Sequence, residues 1–197
     1  MMKTGIKSVI TLCVLSLLSL AVSAQVLVRE RFTHYSIEPD SVEQIKLELR
    51  RKSPVSKENQ LFHGGTQWKL IPKFGLQRVG NLCQISDIQV SLDGIFTLPK
   101  MTNRTTASET IQRTFDSYYT SLLEHERGHQ DLWLQAGQEI ERALKTMPPH
   151  FQCEQLKRQA TNRVSEIVEH YQQQNKLYDT STGHGKTQGV YIGNPPK

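Results

Sequence analysis

Two histidines four residues apart with a glutamate beside the first, His125-Glu126-Arg127-Gly128-His129, form the pattern in this 197-residue chain that most directly suggests chemistry. On a helix, positions i and i+4 project from one side a turn apart, so both imidazoles can hold one tetrahedral zinc ion. Glu126 is rotated about 100° from His125, so it can reach a water on the ion without being a ligand. That is the position of a general base. Chance alone would produce the pattern about 0.02 times in a chain with these His and Glu frequencies.

The pattern's setting strengthens it. His125 and His129 continue an apolar stripe that holds Ile111, Phe115, Tyr118 and Leu122 before them and Trp133 and Ala136 after them. A lone inward histidine is ordinarily a satisfied core residue, but two at helical spacing with a glutamate alongside favour a metal. Gly128 costs a helix interior about 1 kcal/mol relative to alanine, and so marks the close approach of another segment. Glu124, Arg127 and Asp131 read as solvated-face charges, and Trp68 and Trp133 as core.

A third ligand must come from elsewhere: His34, His63, His150, His170, His184 or a late carboxylate. The helix carrying the motif is expected to run from a capping box at Thr106 and Glu109 to Pro148-Pro149. A second helix is expected from about residue 153 to about 175, followed by a polar, glycine-rich tail over residues 178–197. If that helix returns antiparallel, it regains the motif's level near residues 170–174. His170 and the tail are then in reach, and His150 is stranded at the far turn.

The elements upstream read as β-rich. Strand-like runs cover residues 26–35, 66–74, 83–92 and 95–98, with Gly75, Gly80 and Asp93-Gly94 as breaks. A short helix opens after Pro39-Asp40-Ser41, buries Val42, Ile45 and Leu49, and stops at Pro54. Short connections predict antiparallel pairing. Strands first and helices second make the fold α+β, an antiparallel β-rich half packed on two long C-terminal helices.

Residues 1–24 read as a signal peptide: Lys3 and Lys7, an apolar run over residues 9–21, and the cleavage site Val22-Ser23-Ala24. The apolar run falls short of the roughly 20 residues that a membrane span needs, and no later stretch approaches it. Residues 25–197 then form one domain. The localisation expected is secreted, periplasmic or extracellular. Outside the leader, Cys83 and Cys153 remain as an even pair in an oxidising compartment, which predicts a disulfide. The formal charge of +5, two lysines of which lie in the leader, gives no argument for nucleic acid or an anionic membrane. Apolar content of 37% excludes a disordered chain.

The motif at residues 125–129, followed by Tyr178-Asp179-Thr180-Ser181-Thr182-Gly183-His184-Gly185, resembles a family of exported bacterial proteins of unknown function that are predicted to be zinc-dependent proteases. Further matching segments are Gly64-Gly65-Thr66-Gln67-Trp68, Thr97-Leu98-Pro99, the cysteines and Gln188-Gly189. The resemblance spans nearly all of residues 25–197. It implies a zincin-like metallohydrolase domain, with His184 joining His125 and His129 as the third zinc ligand.

The expected function is hydrolysis of a peptide or protein substrate. Zn²⁺ would be held by His125, His129 and His184, Glu126 would serve as general base, and Tyr178 or Asp179 would serve the oxyanion or brace the ligands. The alternative is a non-catalytic exported module with a structural metal or a peptide-binding cleft. A hydrolase of a non-peptide amide, for example in the cell wall, is not distinguished by any residue pattern.

Overall fold

A computed structural model of the chain describes residues 26–57 and 59–193. The leader read from residues 1–24 lies outside the described residues. Strand β1 (Leu27–Ile37) leads through Pro39 into helix α1 (Val42–Lys52), whose N-cap Ser41 accepts a hydrogen bond from the Gln44 amide. Helix α1 buries Ile45 and Leu49, leaves the expected Val42 only partly buried, and ends at Lys52, two residues before Pro54. Strands β2 (Val55–Lys57) and β3 (Gln60–Phe62) then pair antiparallel as a small separate sheet.

The main sheet has the order β1-β5-β4, with β4 at Gly65–Val79 and β5 at Leu82–Met101. Strands β4 and β5 form the antiparallel hairpin expected of a short turn. Strand β1 instead runs parallel to β5, from Leu27 opposite Ser91 to Ile37 opposite Met101. The sheet is therefore mixed, a correction to the wholly antiparallel expectation. Short connections force antiparallel pairing only between strands adjacent in sequence, and α1, β2, β3 and β4 all intervene here.

Two expected strand breaks serve other purposes. Gly75 sits at a register shift after Lys73. Gly94 lies opposite Trp68, whose indole fills the space a side chain would take. Pro99 also remains within β5, because β4 begins only at Gly65 opposite Thr97 and leaves that flank without a ladder.

The inward side chains of β5, among them Leu92, Phe96 and Leu98, are fully buried under the helices. Each such side chain contributes roughly 1.5–3 kcal/mol of hydrophobic stabilisation. Helix α2 (Glu109–Lys145) starts at Ser108, which accepts from the Ile111 amide. Thr106 instead bonds the Asn103 carbonyl, so the cap lies two residues later than the capping-box pattern predicts. Helix α3 (Cys153–Thr182) returns antiparallel, with Arg163 on Glu139 and Asn175 on His129. It ends at Gly183, a left-handed C-cap with φ of 56°.

Helix α3 thus outruns its expected end near residue 175, and Tyr178 and Asp179 lie on the helix rather than in a tail. Beyond it, residues 183–193 double back as a strap with a short 3-10 helix (Lys186–Gln188), and Ile192 is buried against the core. Cys83, near the start of β5, is bonded to Cys153 at the start of α3, with Cα atoms 5.3 Å apart. Beside this link Cys83 and His150 exchange both backbone hydrogen bonds. Among the described residues, no helix is long and apolar enough to cross a membrane.

Candidate metal centre

His125 and His129 point from the middle of α2 toward α3, their rings edge to face with centroids 5.0 Å apart. His125 and Glu126 are each only 4% exposed. Asp179 meets them from the last turn of α3. Its Oδ1 lies 3.0 Å from His129 Nε2 and 3.4 Å from His125 Nε2. One ligating atom from each of His125, His129 and Asp179 falls within 4.8 Å of the others, as a shared metal ion requires.

The far sides of the two rings fix how they are protonated. His125 Nδ1 donates to Gln188 Oε1 at 2.9 Å, and His129 Nδ1 donates to Asn175 Oδ1 at 2.8 Å. Each amide is oriented by a second bond, Asn175 Nδ2 to the Tyr171 carbonyl and Gln188 Nε2 to the Tyr178 hydroxyl. An amide oxygen only accepts, so each neutral ring keeps its proton on Nδ1 and turns the Nε2 lone pair toward Asp179. Outer hydrogen bonds of this kind orient histidines that bind metals.

The charges follow the same design. Burial works to raise the Asp179 carboxyl, but when the rings take up a second proton, on Nε2, hydrogen bonds from His125 and His129 outweigh it and hold the group far below the usual carboxylate range. Burial would likewise lower His129, yet its bonds to Asp179 and Asn175 raise it above an ordinary imidazole. Two imidazoles and an ionised carboxylate thus converge on one point. The Glu126 carboxyl is pushed up by burial, with Thr66 Oγ1 donating to its Oε2 at 2.6 Å and pulling the other way.

Tyr178 braces the centre from behind. Its ring stacks on His125 with centroids 5.0 Å apart and planes 12° from parallel, and its hydroxyl donates to the His125 carbonyl at 3.1 Å. His184 stands at the rim, 45% exposed, with Nδ1 3.6 Å from Asp179 Oδ1 and its ring near Phe62. Its φ of 54° is left-handed, held between two left-handed glycines, Gly183 and Gly185. Gly185 also packs against His125, where a side chain would crowd the ring.

The structure therefore brings together His125, Glu126, His129 and Asp179, sets His184 beside them, and puts the Tyr178 hydroxyl behind the rings. The other histidines fall elsewhere: His34 on β1, His150 beside the disulfide, and His170 against Tyr171 on the outside of α3. His63 lines the cleft but is bonded to Tyr118. Thr66, Asn175 and Gln188 were not singled out by sequence reasoning. Thr66 and Gln188 lie inside the matching segments, and Asn175 stands one helical turn before Asp179. Arg127 is no solvated charge: it pairs with Glu30 at 2.6 Å and lies over the Phe96 ring, 4.8 Å from its centre.

A cleft of about 860 Å³ opens over the centre between the β2–β3 hairpin, the start of β4 and both long helices. Among the described residues, Glu126 and Asp179 are the carboxylates lining it. Trp68 and Trp133 both reach its wall, so each is core and cleft at once.

Neither a curated protein nor a solved structure matches the chain. Residues 32–185, which carry every residue of the centre except Gln188, match the family described as bacterial protein of unknown function (DUF922), and the chain belongs to that family.

Proposed function

We propose that this protein is an exported zinc-dependent hydrolase, with His125, His129 and Asp179 holding the ion and a peptide as substrate. The observation that carries the reading is the shared aim of the two imidazoles: both Nδ1 atoms are tied to amide oxygens, both Nε2 atoms face one carboxylate oxygen, and a buried glutamate adjoins them. Nitrogen and carboxylate donors of this kind suit zinc. Bound there, zinc would supply Lewis acidity toward a carbonyl and draw the pKa of a water molecule toward about 7.

The chain's own groups do the rest. Thr66 fixes one oxygen of Glu126 and leaves the other to take a proton from the attacking water. Burial suits this carboxylate to accept a proton near neutral pH and to return it to the departing amine nitrogen. Asn175, Gln188 and Tyr178 hold the histidines in place, and the cleft keeps the substrate carbonyl against Glu126. The disulfide is consistent with an exported chain.

His184, the third ligand that the resemblance implies, keeps a claim because its Nδ1 lies 3.6 Å from the same Asp179 oxygen. The decisive experiment compares the wild type with Glu126→Gln by metal analysis and by hydrolysis of a library of internally quenched peptides. The expected result is full zinc content in both and turnover reduced at least about 10²-fold in the variant. Equal turnover in the two proteins, or no zinc in the wild type, would overturn the reading.

A further inference from the structure

Three contacts run side by side along the cleft: His63 on Tyr118, Gly64 on Leu122 and Thr66 on Glu126. Residues 63–66 therefore track α2 from Tyr118 to Glu126. Eight helical residues span about 12 Å, so His63 lies about three to four extended residues along the cleft from the general base.

The protonation of the His63 ring can be worked out from its neighbours. Tyr118 is 2% exposed, and among the described residues its hydroxyl has one partner, His63 Nδ1 at 2.9 Å. A buried hydroxyl proton must be accepted somewhere, so the tyrosine donates and Nδ1 accepts. The ring proton is then on Nε2. Burial also holds this imidazole below its usual range, which keeps it neutral and in that single tautomer. Tyr35 donates to the His63 carbonyl at 2.6 Å and fixes the residue from its backbone. Nε2 has no partner among the described residues and is not sealed from solvent, and His63 lines the cleft. A preset N–H donor thus sits on a residue of the cleft wall, about 12 Å along α2 from Glu126.

We infer that His63 is a substrate-binding residue that donates from Nε2 to a backbone carbonyl three to four residues from the scissile bond of an extended peptide. This rests on the hydrolase reading of the same cleft. It makes the enzyme prefer substrates long enough to reach His63.

The test uses zinc-loaded protein and two internally quenched peptides, reaching about two and about five residues on each side of the scissile bond. The wild type is expected to show a KM about three- to tenfold lower for the long peptide, the size of effect one neutral hydrogen bond gives. In His63→Leu that advantage disappears, while zinc content stays at the wild-type level. His63→Gln, which keeps an N–H donor, restores part of it. Tyr118→Phe frees the ring to change tautomer and also reduces the advantage, so it decides the matter if His63→Leu does not fold. An undiminished length advantage in the folded variant overturns the inference. If the wild type cleaves no peptide, the hydrolase reading falls separately. Anisotropy of the same two peptides, dye-labelled, on the zinc-loaded protein then decides His63. Tighter binding of the long peptide that is lost in His63→Leu supports it, and length-independent or absent binding overturns it.

Discussion

Gly128 and Tyr178 are in direct contact: a methyl group on residue 128 would overlap the tyrosine hydroxyl. The glycine in the middle of the histidine motif is there so that α3 can lay this ring flat on His125. Elsewhere in a helix, glycine to alanine would gain about 1 kcal/mol. Here the clash reverses the sign. Gly128→Ala is expected to lose about 1–3 kcal/mol in urea denaturation, as overpacking does. Its zinc affinity by chelator competition should also fall, because the displaced tyrosine no longer steadies His125. An alanine variant that is more stable than the wild type would show that the contact is not needed.

The two amides behind the histidines give a second prediction. Asn175 and Gln188 touch no reacting group, yet each sets the proton position and orientation of one ring. Asn175→Ala and Gln188→Ala should each weaken zinc binding by about 10- to 100-fold with little change in thermal stability. Glu126→Gln, by comparison, should leave affinity nearly intact. Wild-type zinc affinity in both amide variants would mean that the rings are held by packing alone.

How much of this was legible in the sequence depends on how local each signal is. The His125–His129 pair, the α1 boundaries and the disulfide follow from spacing, capping and compartment, which are local or pairwise rules. The parallel placement of β1 was not legible, because it depends on the path of α1 through β4 rather than on any strand's own pattern. Helix α3 was read too short because its last turns are polar, and their inward side chains, Asn175 and Asp179, face the centre instead of a hydrophobic core. An apolar stripe cannot reveal a helix whose buried face is a polar site. That misplaced Asp179 into a tail and hid its alignment with His125 and His129. The resemblance pointed to the segment that holds Asp179 and, within it, to His184, four residues before Gln188 and five after Asp179.

Arg127 links this centre to the sheet, and its partner gives a pH prediction. The Glu30 carboxyl is held below the usual range by the Arg127 guanidinium first, with burial opposing and Gln130 assisting. A carboxyl lowered on folding contributes stability at pH values above its unfolded value of about 4.3 and loses it as pH falls through the folded value. Glu30→Gln should therefore be less stable than the wild type by about 1 kcal/mol at pH 7. The gap should close as pH falls below about 4, because the wild type then loses what the variant never had. Parallel urea midpoints from pH 7 to pH 3 would show that the pair contributes nothing.

The choice between Asp179 and His184 as third ligand can be argued from their settings and then measured. Asp179 reaches the two Nε2 atoms from within a helix turn that Asn175 also anchors, and its carboxylate is largely shielded from solvent. His184 is nearly half exposed, on the strap, with Asp179 between it and the ring of His129. A ligand fixed in a helix loses less conformational freedom on binding than one on an exposed strap. Asp179→Asn is accordingly expected to reduce zinc affinity by more than about 100-fold, whereas His184→Ala should reduce it by less than about tenfold. Chelator competition on the two purified variants gives both numbers. If His184→Ala proves the more damaging, the ion sits toward the strap, and Asp179 serves to orient His129.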